Sequence, residues 1–194
     1  NINIPGKYAG FIMSESYQKN FFTQILDEFK KGDKSKAFNK LENYLDNNQN
    51  DQIARFNFAI MCNETNKVDL AIKNYKQIIK DNKNHWESRF NLYIIYLDKK
   101  LYKQALQYVN EVLKLKKNFQ PAQRDKALIL NHLQKPDEAF KYIVLALKQN
   151  QEDYIALNTL GLILISLKRT NEAKNTFIRA IELNPKYFSS YNNL

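Results

Sequence analysis

The chain has 194 residues, 44% of them apolar, which is enough to bury a core. A single cysteine, Cys62, excludes an intrachain disulfide and any metal site built on paired cysteines, and no run of about 18 apolar residues exists to cross a bilayer. The formal charge of +10 is compatible with acidic partners, but the wealth of Lys, Asn, Ile, Tyr and Phe also follows from a nucleotide bias toward A and T, so charge alone assigns no partner.

Residues 1–12 (NINIPGKYAGFI) show no helical period, and Pro5, Gly6 and Gly10 make them extended or turning. Met13-Ser14-Glu15 reads as a natural start, so residues 1–17 are expected to be an N-terminal extension: a tail, a linker or a cloning remnant. From Gln18 a 34-residue period runs without insertion or deletion. It gives five repeats, 18–51, 52–85, 86–119, 120–153 and 154–187, each predicted to hold two helices. The second helices share a column of small residues, Ala37, Ala71, Ala105, Ala139 and Ala173. A small side chain is needed there because two helices cross closely. Four residues later stand Leu41, Tyr75, Val109, Ile143 and Phe177, and three further on Tyr44, Ile78, Val112, Ala146 and Ala180. Spacing of i, i+4 and i+7 places all three columns on one helix face. Gly32 and Asn66 suit left-handed turns between paired helices, and Pro136 suits the first position of a helix. Residues 188–194 (FSSYNNL) match the start of a sixth repeat, from which a longer chain is expected.

The stretch from Tyr154 to Tyr187 (YIALNTLGLILISLKRTNEAKNTFIRAIELNPKY) shows the pattern best. Leu157, Leu160, Gly161 and Leu164 mark its first helix, Ala173, Phe177 and Ala180 its second, and Pro185 closes it. It resembles the tetratricopeptide repeat, although that family has an aromatic at the place of Leu157 and a tyrosine at that of Leu164. The resemblance implies an all-α fold, a right-handed superhelical solenoid of antiparallel helix pairs.

Catalytic chemistry finds little support. His85 and His132 lie on different repeats without ligating neighbours, and Cys62 falls on an inward helix face. No phosphate-binding loop, dinucleotide fingerprint or nucleophile elbow is present. Neither an enzyme, a cofactor nor a metal is expected within this chain.

The resemblance places the first helices along a concave groove. Phe22, Phe56, Asn57, Ile60, Asn63, Phe90, Asn91 and Ile94 are then expected to face a peptide, followed by Arg124, Asp125, Asn131 and Asn158. Lys19, Leu128, Ile155, Leu162 and Ile165 fall on the same faces. Asn57, Asn91 and, in the started sixth repeat, Asn193 form a partial row of amides, with Asp125 and Thr159 on the intervening rungs, similar to the asparagine ladder of O-linked N-acetylglucosamine transferases but with two rungs substituted. Phe22 and Leu26 stand where chaperone-adaptor repeats carry a Lys/Asn carboxylate clamp, which disfavours an acidic C-terminal tail in the groove.

The leading expectation is a cytoplasmic protein-interaction scaffold that binds a peptide or helical segment in the groove. One alternative is the substrate-docking array of a larger glycosyltransferase- or sulfotransferase-type enzyme. Another uses the basic convex side for nucleic acid or an anionic membrane and ranks last, since scattered Lys on repeat exteriors usually serves solubility. Self-association through Tyr191 and Leu194 is a further expected contact.

Overall fold

The column of small residues on the second helices lies deep in the protein. Ala37, Ala71, Ala105 and Ala139 are fully buried and Ala173 is 1% exposed. The structure, a computed structural model, describes residues 19–189, with the side chains of residues 19, 20, 188 and 189 outside that description. Eleven helices and no strand occur among the described residues. The extension 1–17 and the sixth-repeat residues Tyr191, Asn193 and Leu194 lie outside them, as does the Lys19 side chain.

Contacts divide the chain into two compact halves, Asn1–Ile95 and Tyr96–Leu194. The N-terminal half holds α1 (Lys19–Lys30), α2 (Lys34–Asn47), α3 (Gln52–Glu64), α4 (Val68–Asp81) and most of α5 (Trp86–Asp98). There α1 pairs with α2, α2 packs on α3, and α3 pairs with α4. The C-terminal half holds α6 (Tyr102–Leu115), α7 (Gln120–His132), α8 (Pro136–Gln149), α9 (Tyr154–Ser166), α10 (Thr170–Leu183) and the short α11 (Pro185–Ser189). Here α7 pairs with α8 and also touches α9, and α9 pairs with α10. The core of this half gathers Ala127, Leu130, Ala139, Ile143, Ala156 and Ile163, all 0–1% exposed.

The turns explain why the period tolerates no insertion. Between the paired helices one residue takes a left-handed conformation at the same repeat position each time. It is Gly32 (φ 103°), Asn66 (61°), Lys100 (58°), Gln134 (61°) and Lys168 (61°). The following residue donates to a carbonyl five residues back, as Lys67 does to Cys62 (2.8 Å) and Arg169 to Leu164 (2.8 Å), so orphan helix carbonyls are satisfied in a Schellman-type ending. Between successive repeats asparagines close the opposite turn. The Asn82 and Asn150 side chains each accept from the backbone two residues on, at 3.1 Å. Part of the asparagine abundance is therefore turn chemistry.

Candidate functional site: the first-helix faces

In the N-terminal half each expected groove phenylalanine packs against other aromatic rings. Phe22 packs edge-on against Tyr44 at 5.7 Å. Phe56 meets Tyr75 at 5.8 Å and the His85 ring at 5.2 Å. Phe90 meets Tyr93 at 4.9 Å and Trp86 at 6.3 Å. Such rings stabilise by area burial plus about 0.5–1.5 kcal/mol per pair. The consequence is a correction to the sequence-based expectation. Phe22, Phe56, Asn57, Ile60, Phe90 and Asn91 are 2% exposed or less, and Ile94 is 9% exposed, so these side chains are core and present no surface to a peptide. The Asn91 Nδ2 donates to the Tyr75 hydroxyl at 3.1 Å, which puts this rung of the amide row to structural use. Asn63, near the end of α3, keeps partial exposure.

The C-terminal half differs. Leu162 and Ile165 on α9 are 38% and 50% exposed. Leu128 and Asn131 on α7, with Ile155 and Asn158 on α9, are half-buried. The helices α7 and α9 touch, and these side chains stand at the repeat positions expected on the groove side. The Oδ1 of Asn131 is buried without a hydrogen-bond partner, a condition that costs about 1–3 kcal/mol.

Arg124 and Asp125, expected on the same face, are engaged in a network. Arg124 Nε donates to Asp125 at 3.0 Å and its Nη1 to Asp153 at 3.2 Å, with all three side chains 9–13% exposed. Gln120 donates to the same Asp153 oxygen at 2.8 Å. The other Asp153 oxygen caps α9, accepting from the Ile155 and Ala156 amides at 2.9 and 3.0 Å. Burial opposes charge on Arg124, yet the two carboxylates outweigh it and raise the guanidinium pKa. Burial likewise works against Asp153, but the Gln120 and Ala156 donors and Arg124 hold its carboxyl below the ordinary value. The cluster braces α7 against the start of α9.

The capping position before each first helix hides a feature that spacing did not reveal. Asp51 and Asp153 cap with carboxylates, and His85 occupies the same repeat position before α5. Its Nδ1 accepts from the Ser88 amide at 3.2 Å. Glu87 Oε2 lies 3.5 Å from that nitrogen, which by geometry is an ion pair. The capping bond needs the lone pair free, and burial, reinforced by Arg89, pushes the imidazole down to about 4, so the ring is neutral. Because the folded pKa lies below the ordinary 6.5, the unfolded chain takes up the proton first. Stability present above pH 6.5 is therefore expected to fall by about 2–3 kcal/mol as the pH drops toward 4. Urea unfolding at several pH values reads this directly, and His85→Asn, which caps without titrating, should remove the His85 share of the slope.

The remaining candidates are inert. Cys62 is fully buried and its thiol is pushed up to about 12 by burial. His132 stacks on Tyr102 at 4.4 Å. Among the described residues no cluster of His, Cys, Asp or Glu could hold a metal, and no helix is long and apolar enough to cross a membrane.

The family model for the N-terminal TPR repeats region of Psidin matches residues 91–194. Among solved structures, MamA 41-end from Desulfovibrio magneticus RS-1 superposes with a TM-score of 0.78 at 17% identity, covering 90% of this chain and 98% of that one. MamA from AMB-1 gives 0.71 at 20% identity over 87% and 92%. TTC0263, a thermophilic TPR protein of Thermus thermophilus, gives 0.64 at 19% identity over 89% and 94%. At these identities the likeness is one of fold. No curated protein matches the sequence.

Proposed function

Because the chain belongs to the tetratricopeptide-repeat family described by the Psidin N-terminal repeats, we propose that it is a protein-interaction scaffold holding a peptide or helical segment on the first-helix face of its C-terminal half. The observation that carries this reading is the exposure of Leu162 and Ile165 on α9, the helix of Asn158, which touches the Asn131 helix α7, where the equivalent positions of the N-terminal half are closed. Large apolar side chains left open in a row on a rigid helix pair favour an apolar segment, and the amides fix its backbone. Rotation of the Asn131 amide onto a peptide N–H would also satisfy its unpaired oxygen. Asn63 and Arg124 flank the peptide in this proposal rather than anchor it.

The test selects peptides from a displayed random library on the immobilised full chain, then titrates the tightest one by fluorescence anisotropy. Leu162→Asp combined with Ile165→Asp should weaken it by about tenfold or more, with an unchanged helical signal since both sites are exposed. Equal affinity for both proteins would remove this face from consideration.

A further inference from the structure

Second helices of neighbouring repeats border the same kind of groove three times, in different chemical form. Between α2 and α4 it is lined by Leu45, Asp46, Gln49 and Phe58, with Glu42, Arg55 and Lys73 mixing the charge. Between α8 and α10 it is largely apolar, with Leu147, Leu157 and Leu160 and one cation, Arg179. Between α6 and α8, in a groove of about 560 Å³, the lining includes Leu113, Lys114, Lys117, Lys126, Tyr142 and Leu145 and no carboxylate. The three are related by whole 34-residue steps, so the backbone is shared and the side chains make the difference.

Two positions in the basic groove reverse the rule of the repeat. Where Lys126 stands, the second, third and fifth repeats carry Phe58, Leu92 and Leu160, and the first carries the exposed Gln24. Its ammonium is held 3.9 Å from the centre of the Tyr142 ring, so a cation replaces core packing at the groove wall. Where Leu145 stands, the others carry Asn43, Gln77, Glu111 and Arg179, and Leu145 is 44% exposed. A solvated exterior has no use for a charge in the apolar place and a leucine in the polar place. Two carboxylates of the flanking helices are engaged on their own helix side: Glu111 accepts from Gln107 at 3.3 Å and Glu138 pairs with Lys135 at 3.7 Å.

We propose that the groove between α6 and α8 is a second docking site, which binds a short acidic segment of a partner protein that carries an apolar anchor residue. Lys114, Lys117 and Lys126 meet its carboxylates, and the anchor rests on Leu113 and Leu145. The exposed apolar floor favours such a peptide over nucleic acid, whose recognition by phosphate contacts would leave Leu145 without a role.

The probe is a short fluorescein-labelled peptide of alternating Glu-Glu and Leu-Phe pairs, titrated into the full chain by anisotropy. Binding should weaken with rising salt. Lys114→Glu with Lys117→Glu should reduce affinity by about tenfold or more, and Lys126→Leu by about threefold. The Leu162→Asp and Ile165→Asp protein, altered on the other face, should bind the probe as the wild type does. Unchanged affinity in the charge-reversal protein would overturn the proposal. So would a labelled oligothymidylate that binds more tightly than the peptide and depends on the same lysines.

Discussion

Asp153→Ala is expected to lower the free energy of unfolding by about 3–5 kcal/mol, because it breaks a buried ion pair from one side and removes a helix cap together. Asp153 takes four donors: Arg124 and Gln120 on one oxygen, the Ile155 and Ala156 amides on the other. With the carboxylate gone, a guanidinium that is 13% exposed keeps only Asp125, and the first turn of α9 loses its acceptor. The connection lies between α7 and α9, the two helices that carry the proposed peptide face. In a repeat array, stability is approximately a sum of repeat and neighbour terms, so a weakened junction should broaden the transition as well as lower it. Asp153→Asn retains a capping oxygen but loses the charge, and should cost about 1.5–3 kcal/mol. Its acid behaviour follows from the sign of the shift. The folded carboxyl titrates below the ordinary 3.8, so its contribution is complete above that pH and is lost as the pH falls through the folded value. That loss lies below the window of His85, and acid titration of the wild type should show the two in succession. Urea unfolding of Asp153→Ala decides the matter: a loss under about 1 kcal/mol would mean that water replaces the carboxylate and the brace is not buried as described.

The period was legible because it is imposed by geometry that recurs. A crossing of two helices at fixed separation admits only a small residue, so Ala37 to Ala173 announce each pair without any tertiary knowledge. The left-handed turn is equally regular but was visible only at Gly32 and Asn66. At Lys100, Gln134 and Lys168 the helices on either side dictate the backbone and override local preference. The candidate site was legible in part, for a comparable reason. Repeat register tells which face of a helix a side chain is on, but not what stands in front of it. Phe56 and Leu162 both fall on first-helix faces. Phe56 is closed by Tyr75 and His85, bulky rings that happen to occupy those columns in the second repeat, whereas Leu162 remains 38% exposed. Amides behaved the same way: Asn91 is claimed by a tyrosine hydroxyl whose direction no repeat column encodes. The α6–α8 groove shows the opposite case. Its unusual residues, Lys126 and Leu145, could have been found by reading each repeat column for its exception.

Replacement of Gly161 by valine is expected to cost about 3 kcal/mol or more. An ideal Cβ at Gly161 would meet the Phe177 ring, with Cδ1 at 2.7 Å, so any side chain must displace the ring. Valine adds a further loss of χ1 freedom within α9. Alanine sets two effects against each other: it gains about 1 kcal/mol of helix propensity over glycine and loses about 1–3 kcal/mol to overpacking, for a small net loss. Two other repeats carry alanine at the place of Gly161. Ala127 stands in register with Ile143, and Ala59 with Tyr75, whose hydroxyl is tied to Asn91. Phe177 is the column's phenylalanine, and it stands in register with the glycine. Gly161→Ala should therefore become favourable once Phe177→Leu has made room, and the pair should be more stable than the sum of the single changes by about 1 kcal/mol or more. Additive losses in that double-mutant cycle, measured by thermal and urea unfolding, would show that the ring can swing aside without cost. In that event the glycine serves the backbone of α9 rather than the packing of α10 against it.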